Sequence, residues 1–217
     1  MLLEAQRRLQ ERYGNLRWWP AETPLEVCVG AILVQNTSWA GAERAIANLR
    51  AAGVLGDARR MLALSRPRLE SLLRPAGTFR VKARRLRALL AWIEARGGPV
   101  EALRGETVAI RGSLLEVHGV GRETADAILL YAGGHPVFVV DAYARRVLGR
   151  HRWIDPEAGY DALRARIEKA LPRDPGLYNR FHAEIVTVGK EYCRTAPHCD
   201  GCPLEGMLPQ GYPPGPA

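Results

Sequence analysis

The sequence of 217 residues has no long uninterrupted apolar run. A helix that spans a membrane needs roughly 18 to 20 such residues, so no membrane partner is expected. The first residues, MLLEAQRRLQERYG, contain Glu4 and Glu11 and no signal-peptide cleavage pattern. These features predict a cytoplasmic protein, and the length is sufficient for one large or two small globular domains.

Lysine is scarce, because only Lys82, Lys169 and Lys190 stand among 31 basic residues. The net charge of +8 and the isoelectric point near 9.7 still favour an anionic partner, with nucleic acid preferred over a membrane surface. A genome rich in G and C would also produce an arginine bias, so the bias by itself assigns no function. The scarcity matters because the amine of lysine can act as a nucleophile, whereas the guanidinium of arginine cannot.

Cysteine is also sparse, and its distribution is uneven. Cys28 stands alone, while Cys193, Cys199 and Cys202 fall within ten residues of one another. In a cytoplasmic chain this clustering indicates a metal site rather than disulfide bonds.

Alternating strand patterns are missing, and HPVFVVDAY is the single stretch that suggests an extended segment. Elsewhere apolar residues recur at spacings of three and four, and PLEVCVGAILV (24–34) is apolar on nearly all sides, which is typical of a buried helix. Turns containing Gly or Pro separate these segments. We expect an all-α fold of about ten helices without internal repeats, followed by a disordered tail, LPQGYPPGPA.

The segment LLEVHGVGRETADAILLYAG (114–133) predicts two helices joined by a tight turn. Gly119 and Gly121 permit backbone conformations and close approaches that a Cβ would prevent. The second helix begins just after them, so its unpaired N–H groups can face the phosphate of a nucleic acid without reading a base. An ordinary helical hairpin with a glycine turn explains the same pattern.

A single carboxylate follows this hairpin in VFVVDAYARRVL (137–148). Asp141 comes after four apolar residues, at the predicted start of a helix. Aspartate is a preferred N-cap residue, so a purely structural role is one interpretation.

These segments together resemble the endonuclease III superfamily of DNA glycosylases. GAILVQNTSW, GTFRVKARRL, the hairpin, the aspartate and the cysteine cluster occur in the family's order. The resemblance implies a two-domain all-α fold, with a helical barrel domain at 21–134 that ends in the helix-hairpin-helix. Residues 1–20 and 135–217 would form the second domain, which contains the aspartate and a C-terminal cysteine-cluster loop.

The same resemblance implies that Asp141 supports cleavage of the bond between sugar and base. A nearby carboxylate stabilises positive charge on the sugar and can orient or deprotonate the attacking nucleophile. The substrate would be double-stranded DNA with a damaged base flipped out of the stack. Bifunctional members carry a lysine where this sequence has Glu123, and a carboxylate cannot form a Schiff base. The sequence therefore resembles the monofunctional branch, in which Asp141 activates water.

Two aromatic segments, RWWP and QNTSW, bear on the choice of base. Together with the hairpin they are similar to the 3-methyladenine DNA glycosylase branch. That similarity nominates Trp18, Trp19, Pro20 and Trp39 as the base pocket, and a cationic alkylated purine would gain from an electron-rich indole face. Packing residues near the N-terminus are the alternative explanation for Trp18 and Trp19.

Three further residues are nominated for DNA contact by the resemblance. Gln35 matches the glutamine that family members insert into the gap left by the flipped base. Thr78 occupies the place of the usual leucine wedge on the opposite strand; it is a poorer wedge, so either Phe79 replaces it or these contacts are weak. Lys82 and the arginines after it would contact phosphates, and binding would be sensitive to salt.

The cysteine cluster lies where the family holds a [4Fe–4S] cluster on four cysteines. Here the fourth cysteine is absent, and Leu208 stands in its approximate place. A cluster on Cys193, Cys199 and Cys202 would take its fourth ligand from water, from Glu205 or from an oxygen of the tail. One alternative is a zinc site that includes His198, and another is that the cluster has been lost. Cys28 is not expected to be the fourth ligand, because it lies in a helix of the other domain.

The expected function is therefore that of a monomeric base-excision-repair DNA glycosylase that excises an alkylated purine and leaves an intact abasic site. One alternative is a bifunctional glycosylase and lyase that acts on oxidised pyrimidines through a lysine elsewhere in the chain. The other alternative is a protein that binds DNA damage without turnover.

Overall fold

The computed structural model describes residues 1–16 and 18–210, and this part of the chain is helical without β-strands. It contains twelve α-helices: α1 (Leu2–Tyr13), α2 (Pro24–Leu33), α3 (Trp39–Ala51), α4 (Ala58–Ala63), α5 (Arg66–Leu73), α6 (Phe79–Glu94), α7 (Pro99–Ala102), α8 (Thr107–Leu115), α9 (Arg122–Ala127), α10 (Ala142–Arg150), α11 (Tyr160–Lys169) and α12 (Pro175–Glu191). Short 3₁₀ turns cover Arg74–Ala76 and Glu205–Met207, and a π turn at Ile128–Ala132 continues α9. The all-α prediction is confirmed. Most of the predicted tail, residues 211–217, lies outside the described residues.

The chain divides into two compact units. Trp19–His135 forms one, here called the hairpin unit, and Met1–Trp18 with the chain from Pro136 onward forms the other, here called the Asp141 unit. The sequence placed the divisions at 20/21 and 134/135, and the compact units divide at 18/19 and 135/136.

Local sequence signals explain where the helices of the hairpin unit begin. Thr23 caps α2 by accepting a hydrogen bond from the backbone N–H of Glu26 at 3.2 Å, and Pro24 stands at the first helical position. Nearly every residue of α2 is buried, as its continuous apolar pattern predicted, and α3, α6 and the π turn pack around it. This central helix ends at the loop that contains Gln35.

The Asp141 unit packs α12 against both α1 and α10. Asp174 caps α12 by accepting from the N–H of Gly176 at 2.7 Å. Glu184 and His182, two titratable residues of α12, are both buried. The long helix α12 therefore forms the centre of this unit.

The segment Val137–Val140 is buried but belongs to no helix or strand of the described residues. Side chains satisfy part of its backbone instead. The Glu168 carboxylate accepts from the N–H of Phe138 at 2.9 Å, and the Tyr160 hydroxyl accepts from the N–H of Val140 at 3.4 Å. The buried segment is thus held by α11 and delivers Asp141 to the start of α10.

No helix within residues 1–16 and 18–210 combines the length and the apolar character that crossing a membrane requires.

Candidate active site

Asp141 occupies the N-cap of α10, as its sequence context predicted. Its Oδ1 accepts a hydrogen bond from the backbone N–H of Ala144 at 2.7 Å, and the side chain is 17% exposed. The four buried residues before it anchor the backbone on one side, and the helix anchors it on the other. The cap and a catalytic role are therefore compatible, since the cap uses one carboxylate oxygen and leaves Oδ2 available.

His182 faces the second oxygen of this carboxylate. Its Nε2 lies 3.7 Å from Oδ2 of Asp141, and the residue is only 4% exposed. Burial by itself would raise the pKa of Asp141. The facing imidazole and the backbone N–H groups of Ala144 and Tyr143 outweigh burial, and the pKa lies below its usual value. Asp141 is thus held as a carboxylate, although it is largely buried.

Trp18 lies against the same histidine. The two rings meet edge to face with centroids 5.7 Å apart. The ammonium of Lys190 lies 5.9 Å from the centre of the Trp18 ring and 6.0 Å from that of Tyr143. The indole Nε1 of Trp18 is buried and has no hydrogen-bond partner among the described residues, whereas buried indole N–H groups normally have one.

The predicted hairpin is formed by α8, a turn and α9. Gly119 has φ +86°, and a Cβ there would overlap the side chain of Arg85. Gly121 differs from the expectation, because its φ of −92° suits any residue; it is exposed, and a Cβ there would meet nothing. The conformational argument therefore holds for Gly119, and Gly121 leaves open space before α9.

A buried ion pair fixes the two helices of the hairpin. The guanidinium of Arg111 on α8 donates to both oxygens of Asp126 on α9, at 2.6 and 3.1 Å, and Asp126 is fully buried. Glu123 lies in the first turn of α9 and is exposed. An acidic residue is favourable at a helix N-terminus, so Glu123 also has a structural reason for its place.

Gln35 is bound to the hairpin. Its Nε2 donates to the carbonyl of Gly119 and to Oγ1 of Thr124, both at 3.0 Å, and its Oε1 accepts from Arg85 at 2.7 Å. The side chain is thus part of the hairpin's hydrogen-bond network in this structure. Its insertion into DNA stays a prediction, and it would require these three bonds to break.

Trp19 and Trp39 come together in the hairpin unit. Their rings meet edge to face at 5.7 Å, and Trp19 also stacks on Tyr131 with centroids 5.2 Å apart. Trp19 has a φ of +56°, uncommon for a bulky residue, and lies over Gly30 where a Cβ would crowd its ring at 3.2 Å. Pro20, the residue that follows Trp19 in the sequence, is exposed.

Tyr131 was missed by sequence reasoning. It lies in the π turn that continues α9. Such turns occur often at functional sites, but the letters ILLYAG give no indication of one.

The prediction for Lys82 is wrong. The residue is 1% exposed, and its ammonium donates to the carbonyls of Leu33 at 2.8 Å and Ala76 at 2.6 Å. Burial and the nearby Arg85 lower the pKa of Lys82. These two carbonyls lie at the ends of α2 and of the 3₁₀ turn, so Lys82 stabilises the backbone before the Gln35 and Thr78 loops instead of facing phosphates.

Thr78 stands exposed at the start of α6 in a left-handed conformation, with φ +34°. A β-branched residue is strained there, and such strain clusters at functional sites. Phe79 is half-buried, and the guanidinium groups of Arg74 and Arg80 lie 5.2 and 5.4 Å from its ring centre. Of the two wedge candidates, Thr78 is therefore the more accessible.

The three clustered cysteines, Leu208 and Glu205 line one cavity of about 20 Å³. Burial raises the pKa of Cys202 to about 11 and also raises that of Cys199. No group of three or more His, Cys, Asp or Glu side chains in the described part of the chain is arranged to hold a metal ion. The thiols suit an iron-sulfur cluster chemically.

Cys28 is an isolated thiol in the hairpin unit. It is buried in α2, and burial raises its pKa to about 12.

Comparison with known proteins identifies the family. Residues 29–173 match the model of the HhH-GPD superfamily of base excision DNA repair proteins. A provisionally named DNA repair glycosylase of Methanocaldococcus jannaschii is 42% identical over 208 residues, which cover 94% of each chain.

Solved structures agree with this match. The 3-methyladenine DNA glycosylase of H. pylori, bound to 1,N6-ethenoadenine, superposes with a TM-score of 0.77 and 28% identity over 88% of this chain and 97% of that one. An endonuclease III in a non-covalent complex with DNA shares the fold, with a TM-score of 0.80 and 21% identity over 97% of this chain and 94% of that one. The chain therefore belongs to the HhH-GPD superfamily of base excision DNA repair proteins, and within it to the DNA glycosylases.

Proposed function

We propose that this protein excises an alkylated purine, such as 3-methyladenine, from double-stranded DNA and leaves the strand intact. The observation that carries the proposal is the geometry of Asp141. One carboxylate oxygen is fixed by the start of α10 and the other faces His182, and the pKa of the group is held below its usual value. At neutral pH the carboxylate is ionised and oriented before DNA binds.

The reaction follows from this arrangement. The bond between base and sugar breaks, its electron pair leaves with the base, and positive charge develops on the sugar. The carboxylate of Asp141 stabilises that charge, water adds to the sugar carbon, and its proton passes to the carboxylate. The flipped base must first leave the stack, at a cost of a few kcal/mol.

Aromatic side chains of the hairpin unit support a purine substrate. Trp19, Trp39 and Tyr131 form a cluster of rings there. Stacking on an aromatic side chain contributes about 1–3 kcal/mol per base. The relative from H. pylori, whose structure contains an ethenoadenine, is consistent with this substrate class.

The DNA strand is expected to stay intact after base release, because Glu123 stands where bifunctional members of the family have the lysine that forms a Schiff base. The test uses end-labelled duplexes that each contain one damaged base: a 3-methyladenine analogue, thymine glycol or a uracil mispair. Strand breaks that appear only after hot alkali, and with the alkylated purine, are the expected result. Breaks without alkali would refute the monofunctional proposal, and release of thymine glycol alone would refute the substrate.

A specific observation keeps the bifunctional alternative open. Lys190 is exposed, and its ammonium lies 5.9 Å from the Trp18 ring in the unit that contains Asp141, whereas Lys82 is buried and bound to two carbonyls. If the protein has lyase activity, Lys190 is the first candidate for the amine. Borohydride would then trap wild type and Lys169→Gln on DNA but not Lys190→Gln; trapping of none of the three refutes a lyase.

We further propose that Cys193, Cys199 and Cys202 hold a [4Fe–4S] cluster, with Glu205 or solvent at the fourth iron. When bound, such a cluster would fix the C-terminal loop, and no step of base release depends on it. About four iron and about four acid-labile sulfide ions are expected per chain. Cys202→Ser should lose both, while Cys28→Ser should keep them; purified protein without sulfide would contradict the proposal.

A further inference from the structure

His182 had no motif to mark it in the sequence, yet its position is unusual. It is a buried imidazole in the middle of α12, with Nε2 3.7 Å from Oδ2 of Asp141. Two rings hold it from other sides: that of Trp18 at 5.7 Å and that of Phe138 at 6.2 Å, both edge to face. A side chain packed in this way has little freedom to turn away from the carboxylate.

The surrounding charged groups are engaged elsewhere. Arg145 donates to the carbonyls of Pro156 and Ala158, and Arg146 donates to those of Gly189 and Cys193. The other titratable side chains of these helices are Tyr143 and Arg150 on α10, Tyr160, Asp161, Arg164, Arg166, Glu168 and Lys169 on α11, and Tyr178, Arg180, Glu184, Lys190 and Glu191 on α12. Within residues 1–16 and 18–210, His182 is the basic side chain that pairs with the Asp141 carboxylate.

We propose that His182 is a positioning residue for base excision: it orients Oδ2 of Asp141 and couples that carboxylate to the ring of Trp18. The inference rests on the proposed function in one respect, that Asp141 is the catalytic carboxylate. Oδ1 is fixed by the N–H of Ala144, and the imidazole of His182 is the side chain that faces Oδ2. A group that stabilises charge on the sugar depends on such fixed geometry.

The arrangement also has an electrostatic consequence. Asp141 is largely buried, which disfavours its charged form, and the imidazole opposes that effect. A folded-state pKa that is depressed in this way keeps the carboxylate ionised as pH falls, until the pH passes through the lowered value. Without His182 the carboxylate would take up its proton at a higher pH.

Two variants separate charge from orientation. His182→Asn removes the imidazole and shortens the side chain, while His182→Gln keeps an N–H that can reach Oδ2 but carries no charge. His135→Gln is the matched control, because His135 bonds to Thr107 and to the carbonyl of Leu103 in the hairpin unit. All are made in the chain of 217 residues, and Asp141→Asn assigns the Asp141 resonance.

The first readout is the titration of the Asp141 carboxyl carbon by NMR, in the protein without DNA. The midpoint is expected to move to higher pH in both His182 variants and to stay in place in His135→Gln. An unchanged midpoint in the His182 variants would overturn the proposal. If His182→Asn does not fold, His182→Gln and the control still decide the question.

The second readout is the single-turnover rate of base release as a function of pH. We expect His182→Asn to lose roughly 10- to 100-fold in rate, as for a misplaced catalytic group, with its acid limb shifted to higher pH. His182→Gln should recover much of the rate but keep the shifted limb. Equal losses in both variants with no shift of the limb would indicate a merely structural role. If wild type releases no base from any duplex, the proposed function fails. The NMR titration still decides whether His182 acts on the Asp141 carboxylate.

Discussion

At the scale of single residues, the chemistry of this protein depends on which polar side chains are buried and what they contact. Asp141 and Asp174 are both N-cap aspartates, each with an oxygen about 2.7 Å from a backbone N–H. Only Asp141 also faces a buried histidine. The two caps therefore differ in the partner of the second oxygen, and the proposed catalytic role of Asp141 rests on that difference.

This pair of aspartates provides the test of Asp141. Asp141→Asn should lower the rate of base release by roughly 100- to 10,000-fold, because the amide cannot stabilise positive charge or accept a proton. Binding to the damaged duplex should persist. Asp174→Asn makes the same substitution at the other N-cap and should release base at the wild-type rate, measured under single-turnover conditions. Full activity of Asp141→Asn would remove Asp141 from the reaction, and binding as the sole activity of wild type would favour a damage-binding protein.

Lys82 gives a prediction about stability. Lys82→Met keeps the length of the side chain but leaves the carbonyls of Leu33 and Ala76 without their donor. Each buried acceptor without a partner costs about 1–3 kcal/mol, so the free energy of unfolding should fall by about 2 kcal/mol or more. Urea denaturation measures this, and the exposed Lys169→Met should remain within about 0.5 kcal/mol of wild type. Equal stability of the two variants would show that the Lys82 bonds contribute nothing.

At the scale of elements, the hairpin is stabilised by contacts that come from outside its two helices. Arg85 on α6 packs under Gly119 and donates to Gln35, which in turn binds the carbonyl of Gly119 and the hydroxyl of Thr124. The turn thus depends on side chains from two other parts of the hairpin unit. Its shape is a property of this network as well as of the glycine.

Gly119→Ala tests that network. The new Cβ would overlap Arg85, and the alanine would have to adopt a φ of +86°. The free energy of unfolding is therefore expected to fall by about 1–3 kcal/mol, and DNA binding to weaken. Gly112→Ala in α8 is the control, since its Cβ would meet open space and alanine favours a helix. Thermal unfolding and binding to an undamaged duplex measure both effects. A Gly119→Ala protein that matches wild type in both would mean that the turn tolerates a side chain.

At the scale of the whole molecule, α12 organises the Asp141 unit through two buried titratable groups. His182 faces Asp141, whereas Glu184 is 1% exposed. Burial raises the pKa of Glu184 to about 7, although Gln6 of α1 and Arg180 act in the opposite direction. The packing of α1 on α12 therefore encloses a carboxyl group that prefers to be protonated.

The pH dependence of unfolding should reveal this carboxyl group. Its pKa is higher in the folded state than the ordinary value of about 4.5, so the folded state binds the proton more tightly. Stability from this group is complete below pH 4.5 and is lost as the pH rises to about 7. Glu184→Gln should flatten the dependence over this interval, as measured by urea denaturation at several pH values, with the exposed Glu157→Gln as the control. An unaltered slope in Glu184→Gln would contradict the raised pKa.

Much of the fold could be predicted because its signals are local. The continuous apolar run of α2, the spacing of three and four in α3 and α6, and the caps at Thr23 and Asp141 lie within one or two helical turns. The short helices α4 and α7, of six and four residues, gave no complete period and were not anticipated. The unusual backbone conformation of Gly119 could be predicted, because glycine is the residue type that most readily adopts a positive φ.

The sequence alone determined the helical class, the hairpin, the position of Asp141 at a helix start and the acid in place of a lysine at Glu123. Only the tertiary structure decided which polar groups are paired. It turned Lys82 inward to two carbonyls, bound Gln35 to the hairpin, stacked Tyr131 on Trp19 and placed His182 against Asp141. Helix formation depends on neighbours along the chain, whereas burial and pairing depend on residues that packing brings together from distant positions, and a periodic pattern holds no record of them.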